Sequence, residues 1–162
     1  MSPRLTPDEL KQVKEQRKKE REETEEQRRK QEEEMERLRR QRRREEIKFR
    51  IRWEQISSEL DGLYEELDKI YRKAPEEQIS DLTVENVNHI IKDTKEITQG
   101  DPYIDRIKEF VPAGNNPEYR DVIMVLRQLR QGLDRSKRSY LSEPISLSAL
   151  VNELRELESE EE

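Results

Sequence analysis

Few side chains in this sequence have the types and spacing that acid-base or metal chemistry requires. His89 is the only histidine, and neither a serine nucleophile nor an orienting carboxylate stands at a recognisable spacing from it. Carboxylates recur four residues apart at Asp81/Glu85 and at Asp101/Asp105. Both pairs stand at predicted helix starts, where acidic side chains stabilise the helix dipole, and without histidine they make a poor metal site. We therefore predict no catalytic residue, no metal site and no enzymatic activity.

Glycine and cysteine usage excludes further kinds of site. The four glycines, at positions 62, 100, 114 and 132, are scattered, whereas phosphate-binding loops need clustered glycine. Cysteine is absent, which excludes disulfides, zinc-thiolate sites and cysteine nucleophiles. We predict no bound cofactor. We also expect a cytoplasmic protein, because no apolar run approaches the ~18 residues of a membrane span and MSPRLTPDELK lacks the apolar region of a secretory signal.

The strongest local charge lies in residues 37–52, which carry nine basic and two acidic residues in a chain of net charge -6. A nucleic-acid backbone or an anionic membrane would bind such a surface in a salt-dependent way. Base-specific recognition is not expected, because no zinc or helix-turn-helix pattern accompanies the arginines. The alternative is a solvated helix face, or pairing with the acidic residues of 8–36 or 153–162. The candidate cations are Arg39, Arg40, Arg42, Arg43, Arg44 and Lys48.

Helices must position these residues, because strand patterns are nearly absent and the sequence predicts an all-α fold. Of the 162 residues, 44% are charged and 30% are hydrophobic. Residues 1–46 hold too few apolar side chains to bury a core, so we interpret them as a charged helical arm. Thr6 and Glu9 match a capping box, with Pro7 at the first helical position. The arm is either a solvated helix held by ion pairs four residues apart or a partly disordered segment.

The first predicted helix becomes apolar near residue 47 and ends at Ala74-Pro75. Its apolar residues recur at steps of four and three, which is the spacing of a heptad seam. Such a seam must be covered by a second copy of the chain or by the chain's own later helices. A wide, short stripe favours a bundle, and we also expect a homodimer formed through this seam. Its members are Phe49, Trp53, Ile56, Leu60, Leu63, Leu67 and Ile70.

Three further helices complete a predicted bundle over residues 47–138. Thr83 is expected to cap the first and Gly100 to end it, and Asp101-Pro102 starts the second. The third repeats the three-four spacing of apolar residues and is the best partner for the seam. The expected ranges are 84–98, 102–110 and 117–138.

Residues 139–162 are predicted to form a linker followed by an acidic amphipathic helix with Ser146 as its cap. This helix either packs on the bundle or docks on a partner. Its apolar face consists of Leu147, Leu150, Val151, Leu154 and Leu157.

These patterns predict a non-enzymatic adaptor or scaffold. The bundle or coiled coil would provide assembly, and the charged arm would recruit a protein partner. The alternative is a nucleic-acid-associated accessory or regulatory protein that binds the phosphate backbone through residues 37–52.

Overall fold

The computed structural model describes residues 6–111, 115–140 and 146–159. Within these ranges the chain is helical, and its only β-type pairing is an isolated bridge between Gln78 and Glu118. The predicted all-α fold is therefore confirmed. In chain order the helices are α1 (Pro7–Tyr71), α2 (Asp81–Ile97), α3 (Pro102–Asp105), α4 (Tyr119–Tyr140) and α5 (Leu147–Ser159).

Helix α1 starts at the predicted capping box. The Thr6 backbone N–H donates to Glu9 Oε2 at 2.7 Å, and the Glu9 backbone N–H donates to Thr6 Oγ1 at 3.4 Å. The Thr6 hydroxyl also donates to Glu9 Oε2, at 2.8 Å. The hydrogen bonds that the Glu9 carboxylate accepts, first from the Thr6 backbone N–H and then from the Thr6 hydroxyl, lower the pKa of Glu9. The helix ends at Tyr71, before the predicted stop at Ala74-Pro75, because the Lys73 N–H bonds to the Ile70 carbonyl at 2.9 Å and tightens the last turn.

The chain divides into two compact units between Arg43 and Arg44. In the first unit, every residue from Thr6 to Arg42 is exposed except Val13, which is half-buried. Ion pairs four residues apart support this part of α1. They include Glu26–Lys30 at 2.6 Å, Glu36–Arg40 at 2.8 Å, Arg28–Glu32 at 3.7 Å and Lys18–Glu22 at 3.8 Å.

The second unit has a hydrophobic core shared by the C-terminal part of α1, α2, α3 and α4. Helix α4 runs antiparallel to α1, since Trp53 bonds to Leu133 while Tyr64 bonds to Arg127. The later helices supply side chains that are less than 2% exposed, namely Val84, Val87, Ile91, Ile104, Val122, Ile123, Leu126, Leu129 and Leu133.

Helix α2 begins three residues before its predicted start. Ser80 is the N-cap, and its Oγ accepts a hydrogen bond from the Thr83 backbone N–H at 3.2 Å. The prediction that Thr83 caps this helix is wrong, because the hydroxyl one turn earlier satisfies the first free N–H groups. Thr83 instead lies inside the first turn, with its hydroxyl 2.8 Å from Ser80 Oγ.

Helix α3 starts at the predicted Asp101-Pro102 but ends at Asp105 and not at residue 110. The reason is a side chain of α2. Asn88 Nδ2 donates to the Phe110 carbonyl at 2.6 Å, and the Phe110 N–H donates to Asn88 Oδ1 at 2.7 Å. Both backbone groups of Phe110 are thus bonded to one amide, which holds residues 107–110 in a non-helical segment against α2.

The predicted linker, which begins at residue 139, overlaps the end of α4, because this helix continues to Tyr140. Residues 141–145 lie outside the described ranges. Ser146 caps α5 as predicted, since its Oγ accepts from the Ala149 N–H at 3.3 Å and its carbonyl accepts from the Leu150 N–H at 3.1 Å.

Candidate protein-interaction surfaces

The predicted heptad seam lies inside the single chain. Trp53, Ile56, Leu60 and Leu67 are at most 3% exposed, and Phe49 and Leu63 pack against the same core while partly buried. Ile70 is half-buried at the end of the stripe. The side chains of α2 and α4 therefore cover the seam without a second copy of the chain.

Trp53 is the polar anchor of this seam. Its Nε1–H donates to the Leu133 carbonyl and to Ser136 Oγ, both at 3.1 Å. The Lys137 ammonium lies 4.9 Å from the centre of the indole ring, within the range of a cation–π contact. The C-terminal part of α4 thus supplies two hydrogen-bond acceptors for the buried indole N–H and one cation for the indole ring.

A row of charged contacts continues the α1–α4 interface away from Trp53. Arg130 pairs with Asp61 at 3.0 Å, and Arg127 donates to the Tyr64 hydroxyl at 3.1 Å. Both guanidinium groups also lie within 6 Å of the Tyr64 ring. These contacts help to fix the position of α4 along α1, so this face of α4 contributes to the fold.

The only histidine lies at the surface of α2 beside Asp93. The His89 side chain is 72% exposed and its Nε2 lies 3.6 Å from Asp93 Oδ2. Asp93 is buried and pairs with Arg52 of α1 at 3.0 Å. The carboxylate is thus neutralised by an arginine that joins α2 to α1, which is a structural role. Of the predicted carboxylate pairs, Asp101 caps α3 and pairs with Arg135 at 2.8 Å.

A cleft of about 900 Å³ lies next to these residues, between the start of the seam, the end of α2 and α3. Its charged walls include Arg52 with Asp93 and Arg135 with Asp101. Arg135 also stacks over the Tyr103 ring, 5.4 Å from its centre. Because Arg52 and Arg135 already pair with the Asp93 and Asp101 carboxylates, we assign no ligand to it.

The predicted polyanion-binding residues have different surroundings. In the first unit, Arg39 and Arg42 are exposed, whereas Arg40 pairs with Glu36. Arg43 is half-buried and takes part in a polar or electrostatic contact.

In the second unit, Arg44 is half-buried and takes part in a polar or electrostatic contact. The Lys48 ammonium lies 3.6 Å from the Glu158 carboxylate of α5. Pairing with acidic residues, which the sequence left as an alternative, thus occurs at Arg40 and Lys48.

The predicted partner-docking helix α5 packs within its own unit. Leu150 is 1% exposed, as is Ile47 of α1. Val151, Leu154 and Leu157 are half-buried, while Leu147 remains 45% exposed. The ion pair between Glu158 and Lys48 joins the C-terminal end of α5 to α1. The sequence left open whether this helix packs on its own chain or docks on a partner. In the structure it packs on its own chain.

The first unit leaves apolar side chains in solvent. Met35 is 53% exposed and Leu38 is 43% exposed, and a spacing of three places them on one face of α1. Leu10, at 45% exposure, has the same spacing to Val13 near the start of the helix. The predicted seam stopped at Phe49, so these upstream pairs were missed; their spacing of three within a charged helix is the signal that would have found them.

Among the described residues, no group of three or more histidine, cysteine, aspartate or glutamate side chains could hold a metal ion. None of the helices in these ranges combines the length and apolar character that crossing a bilayer requires. Comparison with protein-family models, with curated proteins and with solved structures finds no match to this chain.

Proposed function

We propose that this protein is a non-enzymatic cytoplasmic adaptor that recruits a protein partner through the charged part of α1, residues 6–42. The observation that carries the proposal is the exposure of this segment. A helix of which all but one residue is exposed contributes nothing to the chain's hydrophobic core. A helix that is polar on nearly all sides can persist through ion pairs four residues apart, and it offers its whole surface to another molecule.

Met35 and Leu38 are the anchors we assign to the partner. Helix-in-groove recognition reads apolar side chains three or four residues apart, and this pair meets that requirement with both side chains about half exposed. Arg39 and Glu36 stand beside them, so polar groups can form a rim around the apolar contact.

The bundle supplies the stable part of the adaptor. We retain the homodimer as part of the proposal, but its contact surface has to lie outside the seam, because α2 and α4 already cover Trp53, Ile56 and Leu60. Sedimentation velocity of the full chain measures the mass directly. A monomer at all concentrations would remove self-assembly from the proposal and leave partner recruitment untouched.

Affinity capture from cells that express the protein tests the recruitment. Wild-type chain is compared with the double variant Met35→Glu/Leu38→Glu by quantitative mass spectrometry after nuclease treatment. We expect at least one protein to be depleted about tenfold from the variant, as for the loss of anchor residues. Met124→Glu is the matched control, since Met124 is 56% exposed on α4 in the second unit. Identical sets of captured proteins for wild type and double variant would contradict the proposal.

Binding to a nucleic-acid backbone is the second candidate function. The observation that favours it is that Arg39 and Arg42 are exposed and pair with no residue in the described part of the chain. Two unpaired arginines three residues apart can contact neighbouring phosphates. The nuclease step above and the sedimentation experiment in the Discussion separate this candidate from the adaptor.

A further inference from the structure

A groove of about 520 Å³ lies between α4 and the segment that contains α3 and residues 106–110. Its apolar side is formed by Ile107, Phe110 and Val125. Ile107 is 7% exposed, and Phe110 and Val125 pack on the core while partly buried. The floor of the groove is therefore a continuation of the hydrophobic core that reaches the surface.

The charged side chains that line this groove are basic within the part of the chain that the structure describes. They are Arg106, Lys108 and Arg135. Arg135 is held by Asp101 at 2.8 Å, whereas Arg106 and Lys108 are exposed and form no ion pair with any residue of the described ranges. Two cations thus flank the apolar floor without an ion-pair partner among the described residues.

Exposed apolar side chains extend the groove at its edge. Tyr103 belongs to the lining and is 70% exposed, and Val111 follows the segment with 76% exposure. An apolar floor with a polar rim and large exposed apolar neighbours is the usual anatomy of a protein-binding surface. Asn88 bonds to both backbone groups of Phe110 and so holds this segment in place. The groove is therefore formed before any ligand binds.

We propose that this groove binds an acidic segment of a protein partner. The segment places one or two apolar side chains against Phe110 and Val125, and its carboxylates pair with Arg106 and Lys108. A phosphate backbone would satisfy the cations but leave the apolar floor in water, so a peptide fits better. The chain's own acidic helix is not the occupant, because Leu150 is buried and Glu158 pairs with Lys48.

This inference rests on the proposed function in one respect, since an adaptor needs a second partner site and the groove supplies it. The two are tested on different residues. The charged helix is tested by variants of Met35 and Leu38, and the groove by variants of Arg106 and Lys108. Peptide binding in the groove is measured on the full chain without the partner of the charged helix, so either proposal can fail alone.

The test starts with a library of short random peptides displayed on phage and selected against the immobilised full chain. We expect enrichment of peptides that combine several acidic residues with leucine or aromatic residues. The affinities of the enriched peptides are then measured by fluorescence polarisation. They should weaken as salt is raised, because exposed charges are screened. A selection that yields no binder, or binders without acidic residues, overturns the proposal.

Charge reversal locates the binding. Arg106→Glu/Lys108→Glu should weaken the selected peptides by about tenfold or more, and Tyr103→Ala should weaken them without changing the fold, because this side chain is mostly exposed. The matched control is Lys69→Glu/Lys92→Glu, which changes the same charge at two exposed positions outside the groove. Equal weakening by the control, or displacement of the peptides by duplex DNA, shows a nonspecific cationic surface and overturns the proposal.

Discussion

Trp53 of α1 and Leu133 of α4 are joined by a hydrogen bond inside the core, from the indole Nε1–H to the main-chain carbonyl at 3.1 Å. The same N–H reaches Ser136 Oγ. A donor this deeply buried is costly to leave unsatisfied, so the bond favours the same position of α4 along α1 as the Asp61–Arg130 and Tyr64–Arg127 contacts do.

Trp53→Phe should therefore destabilise the bundle by about 1–3 kcal/mol, because it removes the hydrogen bonds and leaves a cavity. Urea unfolding followed by circular dichroism measures the change. Tyr103→Phe is the control, since it removes a polar atom from an aromatic side chain that is 70% exposed. Equal stability of wild type and Trp53→Phe would show that the hydrogen bond from the indole to the Leu133 carbonyl does not stabilise the bundle.

Two glycines in helices make a matched pair for a second prediction. A Cβ at Gly132 would lie 2.5 Å from Ile104 Cγ1, whereas a Cβ at Gly62 meets nothing within 4 Å. Gly62→Ala should stabilise the chain by up to about 1 kcal/mol through helix propensity. Gly132→Ala should destabilise it despite the same propensity gain, because the buried Ile104 side chain has to shift away from α4.

Ile104→Ala tests whether contact with Ile104 of α3 causes the destabilisation expected for Gly132→Ala. In the Gly132→Ala background its destabilising effect should be smaller than in wild type, because the new methyl group occupies the space that the isoleucine vacates. Additive effects in this double-mutant cycle would mean that Gly132 matters for another reason. Thermal unfolding of the four proteins gives the result.

Much of this fold could be predicted from the sequence because its signals are local. The capping box at Thr6, the cap at Ser146 and the apolar steps from Phe49 to Leu67 each depend on residues within one or two turns of helix. The end of α3 could not be predicted, because the side chain that stops the helix, Asn88, lies 22 residues from Phe110.

The binding surfaces were harder to predict for the same reason. The basic stretch could be recognised from its composition. Whether one of its cations forms an ion pair depends on residues far away in the sequence, as Lys48 and Glu158 show. The groove needs Val125 beside Phe110, which no periodicity in either segment indicates. Sequence spacing finds the faces of helices, whereas a groove exists only once two segments have packed together.

Leu60→Asp tests whether the seam is a core or an interface between chains. Leu60 is 1% exposed within one chain, so an aspartate there should unfold the bundle, at a cost of more than about 4 kcal/mol. Leu82→Asp is the control, because Leu82 is 67% exposed in the first turn of α2. A folded variant whose sedimenting mass is halved would contradict the core assignment and restore the seam as a dimer contact.

Acid should weaken the contact between α3 and α4. Burial acts to raise the pKa of Asp101, but hydrogen bonds from Arg135 and from the Tyr103 and Ile104 N–H groups outweigh it, and the pKa is lowered. A carboxyl with a depressed folded pKa stabilises the fold above its unfolded pKa of about 3.9, and this contribution is lost as the pH falls through the folded value.

Asp101→Asn isolates this effect, since asparagine caps helices about as well as aspartate but carries no charge. The variant should be less stable than wild type at neutral pH, and the difference should shrink as the pH falls below about 4. Urea unfolding at a series of pH values provides the measurement. A stability difference that stays constant down to the lowest pH would show that the Asp101 charge does not contribute.

Sedimentation velocity with labelled duplex DNA decides between the two candidate functions. For an adaptor we expect DNA to sediment unchanged at near-physiological salt, because the chain has a net charge of -6 and Arg40 and Lys48 already face Glu36 and Glu158. DNA that co-sediments with the chain, is released by added salt and no longer binds Arg39→Glu/Arg42→Glu would reverse the ranking. Binding that survives this charge reversal would instead place the contact on the bundle, where Arg106 and Lys108 are the next cations to reverse.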